Sequence, residues 1–348
     1  MVVAFKPDLL EHFNEMGYVV ARGLLDIDLH IRPVIDEYVS AIDSLERKWF
    51  SEGKIDRTYS NLPFDKRLGK LIIETEGEVI YHLDVALKSR SMVTLSEDDP
   101  NIHHGPAVFN LLTNQILLDA VEQFIGPEIY VNPVNRLRVK PPERLLPATM
   151  RKNDQVSKTF WHQDQGVIRE DADSTNLLTV WIPLTEATVE NGCLAVIPGS
   201  HKNGLVLHCF TEELRKTGEM GIPKESLNGL TPIPMKPGDV FFQHKHNIHG
   251  SLSNVSEQDV RISFDLRYQP VGQNTGVHLG PFTSRPRDVS MEPLTWPGFI
   301  ARSRSNPSAE LRDNEEWGRL WAETRSKIIE MNAVGKLLRW DPVDPRCG

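Results

Sequence analysis

The sequence predicts a mainly β fold, a sandwich or jelly roll, with helices flanking it on either side along the chain. Two observations carry this prediction. Residues 129–268 form a series of short β-branched and aromatic runs separated by turn signals, a spacing typical of sandwiches and barrels. The segments before and after that region instead place apolar residues at helical intervals, so a helical part is expected at each end.

The first third of the chain is predicted to be mainly helical. Apolar residues recur at helical spacing over residues 7–17, and Gly17 stands where a helix C-cap is expected. A short strand is expected at residues 18–20, and helical periodicity returns over residues 29–50. A further helix is predicted over residues 110–124, because the Gly-Pro pair that follows would end it.

The β region is predicted from its strongest runs, at residues 177–182, 240–243 and 260–268, with Asn-Gly and Pro-Gly turn signals between runs. The tail after Pro286 is rich in Arg, Pro and Ser and then regains helical periodicity around Trp317. A terminal helix that folds back onto the core is therefore expected.

The length of the chain permits two domains or one elaborated domain, and we favour one over residues 1–348. Its expected parts are a mainly helical N-terminal part (1–128), a jelly-roll core (129–285) and a C-terminal extension with a helix (286–348).

The composition of the chain limits the classes of partner that it is expected to bind. The chain has 48 acidic and 39 basic residues, for a formal net charge of −9, whereas a nucleic-acid binder would normally show clustered Lys and Arg. No run approaches the ~20 apolar residues of a membrane span. Cys193, Cys209 and Cys347 show no CxxC spacing, so reduced thiols and a cytoplasmic location are expected. A small-molecule substrate is the expected partner, and a homodimer is left open.

His162 and Asp164 lie two residues apart, just ahead of an apolar strand pattern. On an extended chain, residues i and i+2 project to the same face, roughly 6.6 Å apart along the backbone. Both side chains can therefore converge on one metal ion. By itself the triplet is weak evidence, because a His beside an Asp is more often a surface pair.

A third ligand candidate and a cation follow in the later strands. His249 begins the run His249-Gly250-Ser251, and Arg261 stands 12 residues after His249 in a strand-like run. Two histidines and one carboxylate leave three coordination positions open, as in iron(II) oxygenases and unlike a closed zinc site. A 2-oxoglutarate dianion that chelates such an iron needs a cation and a hydroxyl for its distal carboxylate. Arg261 and Ser251 are the right types for that pair.

Taken together, these motifs resemble the phytanoyl-CoA dioxygenase family of iron(II)- and 2-oxoglutarate-dependent oxygenases. The resemblance runs from about residue 8 to residue 270, with the motifs in the family's order. They are Gly17-Tyr18-Val19-Val20, Trp161-His162-Gln163-Asp164, Val180-Trp181-Ile182-Pro183-Leu184, Asn191-Gly192-Cys193-Leu194, Ile197-Pro198-Gly199-Ser200-His201, Gly238-Asp239, His249-Gly250-Ser251, Asn254 and Arg261.

The resemblance implies a fold and a set of site residues. The implied fold is a double-stranded β-helix, a relative of the jelly roll and of cupins, with helices buttressing one side. The implied residues are His162, Asp164 and His249 as iron ligands, Arg261 and Ser251 for the distal carboxylate of 2-oxoglutarate, and Trp181 in the wall of the co-substrate pocket.

The resemblance also implies an enzyme that consumes O2 and 2-oxoglutarate, releases succinate and CO2, and removes hydrogen from a bound small molecule. Hydroxylation of an unactivated C–H bond in a secondary metabolite, a small organic acid or an acyl derivative is the leading expectation. Desaturation, epimerisation or ring formation with the same iron site stays open. Related halogenases carry Gly or Ala at the position of Asp164, so halogenation is not expected.

Two other functions could use the same residues. A non-catalytic jelly-roll binding protein would keep the fold without the chemistry, and the intact triad with Arg261 argues against it. A zinc hydrolase could use the same three ligands, but Arg261 and Ser251 would then have no evident purpose.

The remaining histidines have simpler interpretations. His244 and His246 lie near His249, but the Gly-Ser that follows and the spacing to the next arginine favour His249. His201 is interpreted as a hydrogen-bonding residue of its turn. The pair His103-His104 has no carboxylate at ligand spacing and is left unassigned.

Three cations, Arg136, Arg138 and Lys140, alternate along one run, so a strand would project them on one side. A solvated strand face is one interpretation. The competing hypothesis is that Arg136 or Arg138 points into the barrel mouth and pairs with an anionic group of 2-oxoglutarate or of the substrate. Trp317 and Trp321, at helical spacing, are expected to make core or oligomer contacts.

Overall fold

Most of the short antiparallel strands form two sheets that pack against each other, and helices cover the outer face of the larger one. The structure is a computed structural model that describes residues 7–87, 95–151, 156–209, 220–223, 227–281, 294–331, 334–336, 339–340 and 344–347. The α-helices in these residues are α1 (Pro7–Met16), α2 (Arg32–Ser51), α3 (Phe64–Glu74), α4 (Glu78–Leu83), α5 (Pro106–Leu112), α6 (Gln115–Ile125) and α7 (Asn314–Glu330). The strands are β1 (Tyr18–Ala21), β2 (Glu128–Val131), β3 (Arg136–Lys140), β4 (Leu178–Pro183), β5 (Leu194–Val196), β6 (Thr231–Ile233), β7 (Val240–His244), β8 (His249–Ser251), β9 (Arg261–Pro270), β10 (His278–Pro281), β11 (Leu294–Thr295), β12 (Phe299–Ser303) and β13 (Val334–Lys336).

The larger sheet draws its strands from the whole length of the chain. It has seven strands in the order β1-β7-β4-β9-β2-β12, with β3 also paired to β9. The smaller sheet has the order β6-β5-β8, and a third sheet has the order β11-β10-β13. Because β1 precedes the predicted jelly-roll segment and β12 follows it, both ends of the chain complete the core.

Successive side chains of β4 and β7 point to opposite faces of the sheet, so neighbouring residues pack in two different hydrophobic cores. Val180 and Phe242 belong to the core shared with the helices, where Phe242 stacks on Phe124 of α6 at 5.1 Å between ring centroids. Trp181 and Phe241 instead pack with residues of the smaller sheet. The two sheets therefore enclose an inner space, and the predicted jelly-roll core with helices on one side is confirmed.

Two predicted helices differ in detail from the observed ones. The helix expected over residues 29–50 begins with a wider π-helical turn, Ile27–Ile31, before α2. The helix expected over residues 110–124 is split into α5 and α6. Asn114 causes the break, because its side-chain oxygen accepts the backbone N–H groups of Ile116 at 2.9 Å and Leu117 at 3.1 Å. Asn favours such an N-cap over a helix interior.

The predicted C-terminal helix is present as α7 and packs on the core. Trp317 and Trp321 are buried, and Trp321 meets Trp296 edge to face at 5.3 Å between ring centroids. The interpretation of both tryptophans as core residues is therefore confirmed. In the described part of the chain, no helix combines the length and the apolar character needed to cross a bilayer.

The expectation that all three thiols stay reduced is wrong for two of them. Cys209 and Cys347 form a disulfide across a sequence separation of 138 residues. Cys193 is buried and free, and burial raises the pKa of its thiol. Spacing along the sequence could not reveal the pair, because cysteine connectivity depends on which distant segments the fold brings together.

The C-terminal tail lies against the segment that carries Asp164. Arg339 pairs with Asp173 through two hydrogen bonds, of 2.5 and 2.8 Å. The indole of Trp340 donates to the carbonyl of Gly166 at 2.8 Å and stacks on His208. The disulfide is thus one of several links that hold the tail beside this segment.

Candidate active site

His162, Asp164 and His249 come together at one buried point. Their ligand atoms all lie within 4.8 Å of one another, and the three residues are 4%, 0% and 6% exposed. The backbones of His162 and His249 are tied by a reciprocal pair of hydrogen bonds of 2.9 and 3.0 Å. Asp164 begins a short 3-10 turn, which directs its carboxylate back between the two rings.

Both imidazole rings are oriented by backbone carbonyls. Nδ1 of His162 lies 2.8 Å from the carbonyl of Phe160, and Nδ1 of His249 lies 3.1 Å from the carbonyl of Asn247. Each Nδ1 therefore carries the proton and donates it, which leaves the Nε2 lone pair for a metal. Each Nε2 lies 3.9 Å from a carboxylate oxygen of Asp164.

The carboxylate of Asp164 is held ionised. Arg267 donates to Oδ1 through two nitrogens, and the hydroxyl of Thr179 donates to Oδ2. Burial by itself would raise the pKa of Asp164, but the charge of Arg267, the two histidines and the Thr179 hydrogen bond outweigh it and hold that pKa well below its ordinary value.

The donor set suits iron(II). Burial, together with repulsion from His249, holds the pKa of His162 well below its ordinary value, so the ring is neutral as a metal ligand must be. Two imidazoles and one carboxylate form the facial set of non-haem iron oxygenases, with positions left for substrate and oxygen. The three residues fit this ion.

A cavity opens beside the triad, on the inner face of the larger sheet. Trp181, Leu194 and Phe241 give it an apolar wall, and Arg138 and Arg261 give it two cations. The residues that line it are Arg138, Thr159, His162, Thr179, Trp181, Leu194, Phe241, Gln243, His249, Gly250, Arg261 and Asp265.

Arg261 is a buried cation in the wall of this cavity. Its guanidinium donates to Oγ of Ser263 at 2.6 Å and to the carbonyl of Gly192 at 3.2 Å, and it lies 5.4 Å from the Trp181 ring centroid. Burial, with repulsion from Arg138, lowers the pKa of Arg261 to about 9. The group is still charged at neutral pH. An anion bound in the cavity would offset the free-energy cost of burying this charge.

Ser251 lies close to this cavity but does not line it. Its hydroxyl oxygen accepts the backbone N–H of Thr159 at 2.7 Å and also contacts the amine of Lys140, which is fully buried. Lys140 stands opposite Arg261 in the pairing of β3 with β9. The assignment of Ser251 to the distal carboxylate stays a prediction.

The two arginines of β3 have different surroundings. Arg138 lines the cavity and donates to Asp265 at 3.3 Å. Arg136 donates instead to Asp84 at 3.2 Å and lies over the ring of Trp296. Because β3 is paired with β9 and its cations are half-buried or buried, the solvated strand face is wrong. The structure brings Arg138 to the cavity and leaves Arg136 out of its lining.

The sequence interpretation missed three residues that surround the triad, namely Arg267, Thr179 and Gln243. The sequence signal that could have found them is the alternation of side chains along a strand. Arg267 shares a face with Arg261 along β9, as do Thr179 with Trp181 and Gln243 with Phe241 along their strands. Alternation identifies the face, but only the fold shows that Arg267 meets a carboxylate 103 residues away.

His103, His201, His244 and His246 have partners outside the triad. Nε2 of His201 lies 3.1 Å from the carbonyl of Asn14, as expected for a hydrogen-bonding residue. His103 contacts Glu37 at 2.9 Å, and His244 and His246 lie near each other. None of the four belongs to the one cluster that could hold a metal among the described residues.

Comparison with known families agrees with this geometry. The family model described as phytanoyl-CoA dioxygenase (PhyH) matches residues 13–263. The chain belongs to the phytanoyl-CoA dioxygenase family. It is therefore an enzyme of the iron- and 2-oxoglutarate-dependent oxygenase class, as the motifs indicated.

Relatives within this family are distant but span most of the chain. The 1-deoxypentalenic acid 11-beta-hydroxylase of Streptomyces arenae is 27% identical over 288 residues, which cover 80% of this chain and 86% of that protein. Phytanoyl-CoA dioxygenase of Arabidopsis thaliana is 26% identical over 254 residues, covering 72% and 84%. The solved apo structure of ThoJ, a non-haem monooxygenase, is 16% identical, covers 93% of this chain and 99% of that one, and superposes with a TM-score of 0.51. This likeness concerns the fold alone.

Proposed function

We propose that the protein hydroxylates an unactivated C–H bond of a small molecule, with iron(II) held by His162, Asp164 and His249 and 2-oxoglutarate anchored by Arg261. In the balanced reaction, the substrate, O2 and 2-oxoglutarate become the alcohol, succinate and CO2. One oxygen atom of O2 enters the alcohol and the other enters succinate. Iron(II) supplies the centre at which the oxidation of the 2-oxo acid is coupled to the reduction of O2.

The observation that carries the proposal is the cavity that Arg261 shares with the two histidines of the triad. A 2-oxo acid that chelates a metal directs its distal carboxylate away from that metal, and this carboxylate needs a fixed cation. Arg261 is buried in the same cavity as His162 and His249. A zinc hydrolase would have no use for this arginine.

The protein's own groups orient the reactants and exclude water. The carbonyls of Phe160 and Asn247 fix the ring orientation of the two histidines. Trp181 packs one wall beside the Arg261 guanidinium, which limits water around the bound carboxylate and strengthens its pairing.

We assign Arg138 to the binding of a second anionic group of a ligand. Its guanidinium lines the same cavity as Arg261 and donates to Asp265 at 3.3 Å. A carboxylate on 2-oxoglutarate or on the substrate could pair with it, and the Streptomyces relative is named for an acid substrate. Arg138→Ala should raise the KM of one of these two ligands, whereas Arg136→Ala should leave both KM values unchanged.

The test is an anaerobic titration of iron(II) and then 2-oxoglutarate into the apo-protein, followed through the weak visible charge-transfer band of the chelate. The band should require His162 and should need more 2-oxoglutarate in Arg261→Ala, by about 100-fold or more, since a buried charged hydrogen bond is lost. A substrate screen by succinate release would follow.

Matched controls separate this result from unfolding. His246→Ala removes a histidine that lies outside the cavity lining, and Arg304→Ala removes an exposed arginine that pairs with Glu122. Both variants should keep the wild-type band. Absence of the band in folded, iron-loaded wild type would refute the proposal.

A further inference from the structure

Gln243 lies between two of the three proposed metal ligands. It sits on the inner face of β7, is 0% exposed and lines the cavity. In the structure its Nε2 is 2.8 Å from Nδ1 of His249 and 3.4 Å from Oδ2 of Asp164. The amide therefore touches both ligands at once.

The contact with His249 decides which end of the amide faces the ring. A metal at Nε2 of His249 requires the proton on Nδ1, where it is also donated to the carbonyl of Asn247. A protonated Nδ1 cannot accept a hydrogen bond from an N–H group. The two ends of a Gln amide have nearly the same shape, so hydrogen-bond partners assign them. The end beside His249 must then be the carbonyl oxygen.

The carboxylate of Asp164 does not need the Gln243 amide as a donor. Two nitrogens of Arg267 and the hydroxyl of Thr179 already donate to it. A carboxylate offers about four acceptor sites, so an additional N–H from Gln243 would leave none for a metal. Turning the amide removes this competing donor.

The turned amide also resolves an unsatisfied group. Within the described residues, Oε1 of Gln243 is buried and has no hydrogen-bond partner. After the turn, that position holds the NH2 group, in the lining of the cavity. An oxygen atom of a ligand bound beside His249 would then complete its hydrogen bonds.

We infer that Gln243 is a positioning residue with two functions in the metal-loaded enzyme. Its carbonyl oxygen accepts the Nδ1 proton of His249 and so fixes that ligand, and its NH2 group donates to an oxygen of the bound 2-oxo acid. The inference rests on the proposed function and adds a residue that acts on metal and co-substrate together.

Two variants separate these functions. Gln243→Met removes the acceptor and the donor at similar volume. Gln243→Glu keeps the acceptor and removes the donor once the side chain is ionised; because burial beside Asp164 raises the pKa of such a carboxyl, the titration is repeated at increasing pH until the affinities no longer change. The control is Gln269→Met, which alters a buried glutamine whose amide contacts Asn132 and Gln273. Iron(II) affinity is measured anaerobically, and 2-oxoglutarate affinity is measured through the charge-transfer band.

Gln243→Met should weaken both iron(II) and 2-oxoglutarate binding by about 10-fold or more, in the range known for partners of metal-ligating residues. Gln243→Glu should keep iron(II) affinity at or above that of wild type and weaken 2-oxoglutarate binding by about 10-fold, because a charged acceptor replaces a donor. Gln269→Met should leave both affinities at the wild-type values.

Each contrary result has a distinct meaning. Equal loss of iron(II) affinity in the Met and Glu variants would overturn the role toward His249. Unchanged 2-oxoglutarate affinity in the Glu variant would overturn the donor role. The wild-type titration reports on the proposed function itself: if it shows no chelate, both proposals fail, whereas a normal wild-type chelate with unaffected variants refutes only the role of Gln243.

Discussion

Two buried carboxylates of this protein, Asp164 in the metal site and Asp84 at the end of the α4 helix, each face an arginine, yet their environments differ. Arg267 donates to Asp164 through two nitrogens, and its side chain is 3% exposed. Arg136 reaches Asp84 through one nitrogen at 3.2 Å, and its side chain is 17% exposed. The first pair is closer and better shielded from water.

The pKa values of the two carboxyls shift in opposite directions. Burial raises the pKa of both, but at Asp164 the nearby positive charges reverse the effect and lower it. At Asp84 burial outweighs Arg136 and the N–H donors of Leu137 and Val85, so the pKa is raised. Burial alone therefore does not determine whether a carboxyl group is ionised. The metal-site carboxylate is ionised before a metal arrives, whereas Asp84 is more easily protonated.

The largest expected effect is that of Asp164→Ala. It should lower iron(II) affinity by more than about 100-fold, since even neighbours of a ligand are worth 10–100-fold. It should also reduce the unfolding free energy of the apo-protein by about 3–5 kcal/mol, because Arg267 keeps a buried charge without its partner. Anaerobic iron titration and urea unfolding measure the two effects. Wild-type iron affinity in the variant would remove Asp164 from the ligand set.

Arg267→Met tests the other half of the same pair. The apo-protein should lose about 3 kcal/mol, because a buried carboxylate is left without its cation. Iron(II) should recover much of this loss, since the metal supplies a new positive charge beside Asp164. Thermal unfolding with and without iron(II), under anaerobic conditions, measures the difference. If iron(II) raised the melting temperature of the variant by less than that of wild type, Arg267 would be shown to support metal binding and not to take the place of the metal's charge.

Arg136→Met should have a smaller effect, because this arginine is partly exposed and makes a single long hydrogen bond to Asp84. We expect a loss of about 1–2 kcal/mol in urea unfolding, with iron(II) affinity unchanged. A change in iron(II) affinity would mean that the two Arg–Asp pairs are coupled, in contradiction to the comparison above.

Asp84→Asn should have the smallest effect and concerns pH. Because the folded-state pKa of Asp84 is raised, its stabilising contribution is present at low pH and is lost as pH rises through that pKa. The wild-type minus variant difference in unfolding free energy should therefore fall as pH rises from about 4, the ordinary pKa of Asp, through the raised folded-state pKa, and then level off. The contribution of Asp164 is constant over this window, because its lowered pKa lies below it. Parallel pH profiles for the two proteins would contradict the raised pKa.

Much of the prediction of the site rested on local sequence patterns. The spacing of His162 and Asp164, the later His249 and the charge of Arg261 were visible in the sequence because strand alternation and ligand chemistry act over a few residues. The N-cap at Asn114 was also a local signal, but the stronger apolar periodicity around it favoured a single helix.

Long-range partners were not predictable. Nothing near Arg267 in sequence indicates that it meets Asp164. The burial of Lys140 likewise depends on the pairing of β3 with β9 and on the contact of its amine with Ser251. The Cys209–Cys347 pair is of the same kind. Such contacts are set by the packing of whole sheets, where sequence separation contains no information about distance.

The Cys209–Cys347 disulfide makes part of the chain a covalent ring. The ring includes His249 and Arg261, whereas His162 and Asp164 precede it. A single peptide-bond cut anywhere between the two cysteines would therefore leave one covalent molecule, with the two halves of the site still connected. On an electrophoresis gel such a nicked protein would stay a single band until a reducing agent separated its two fragments.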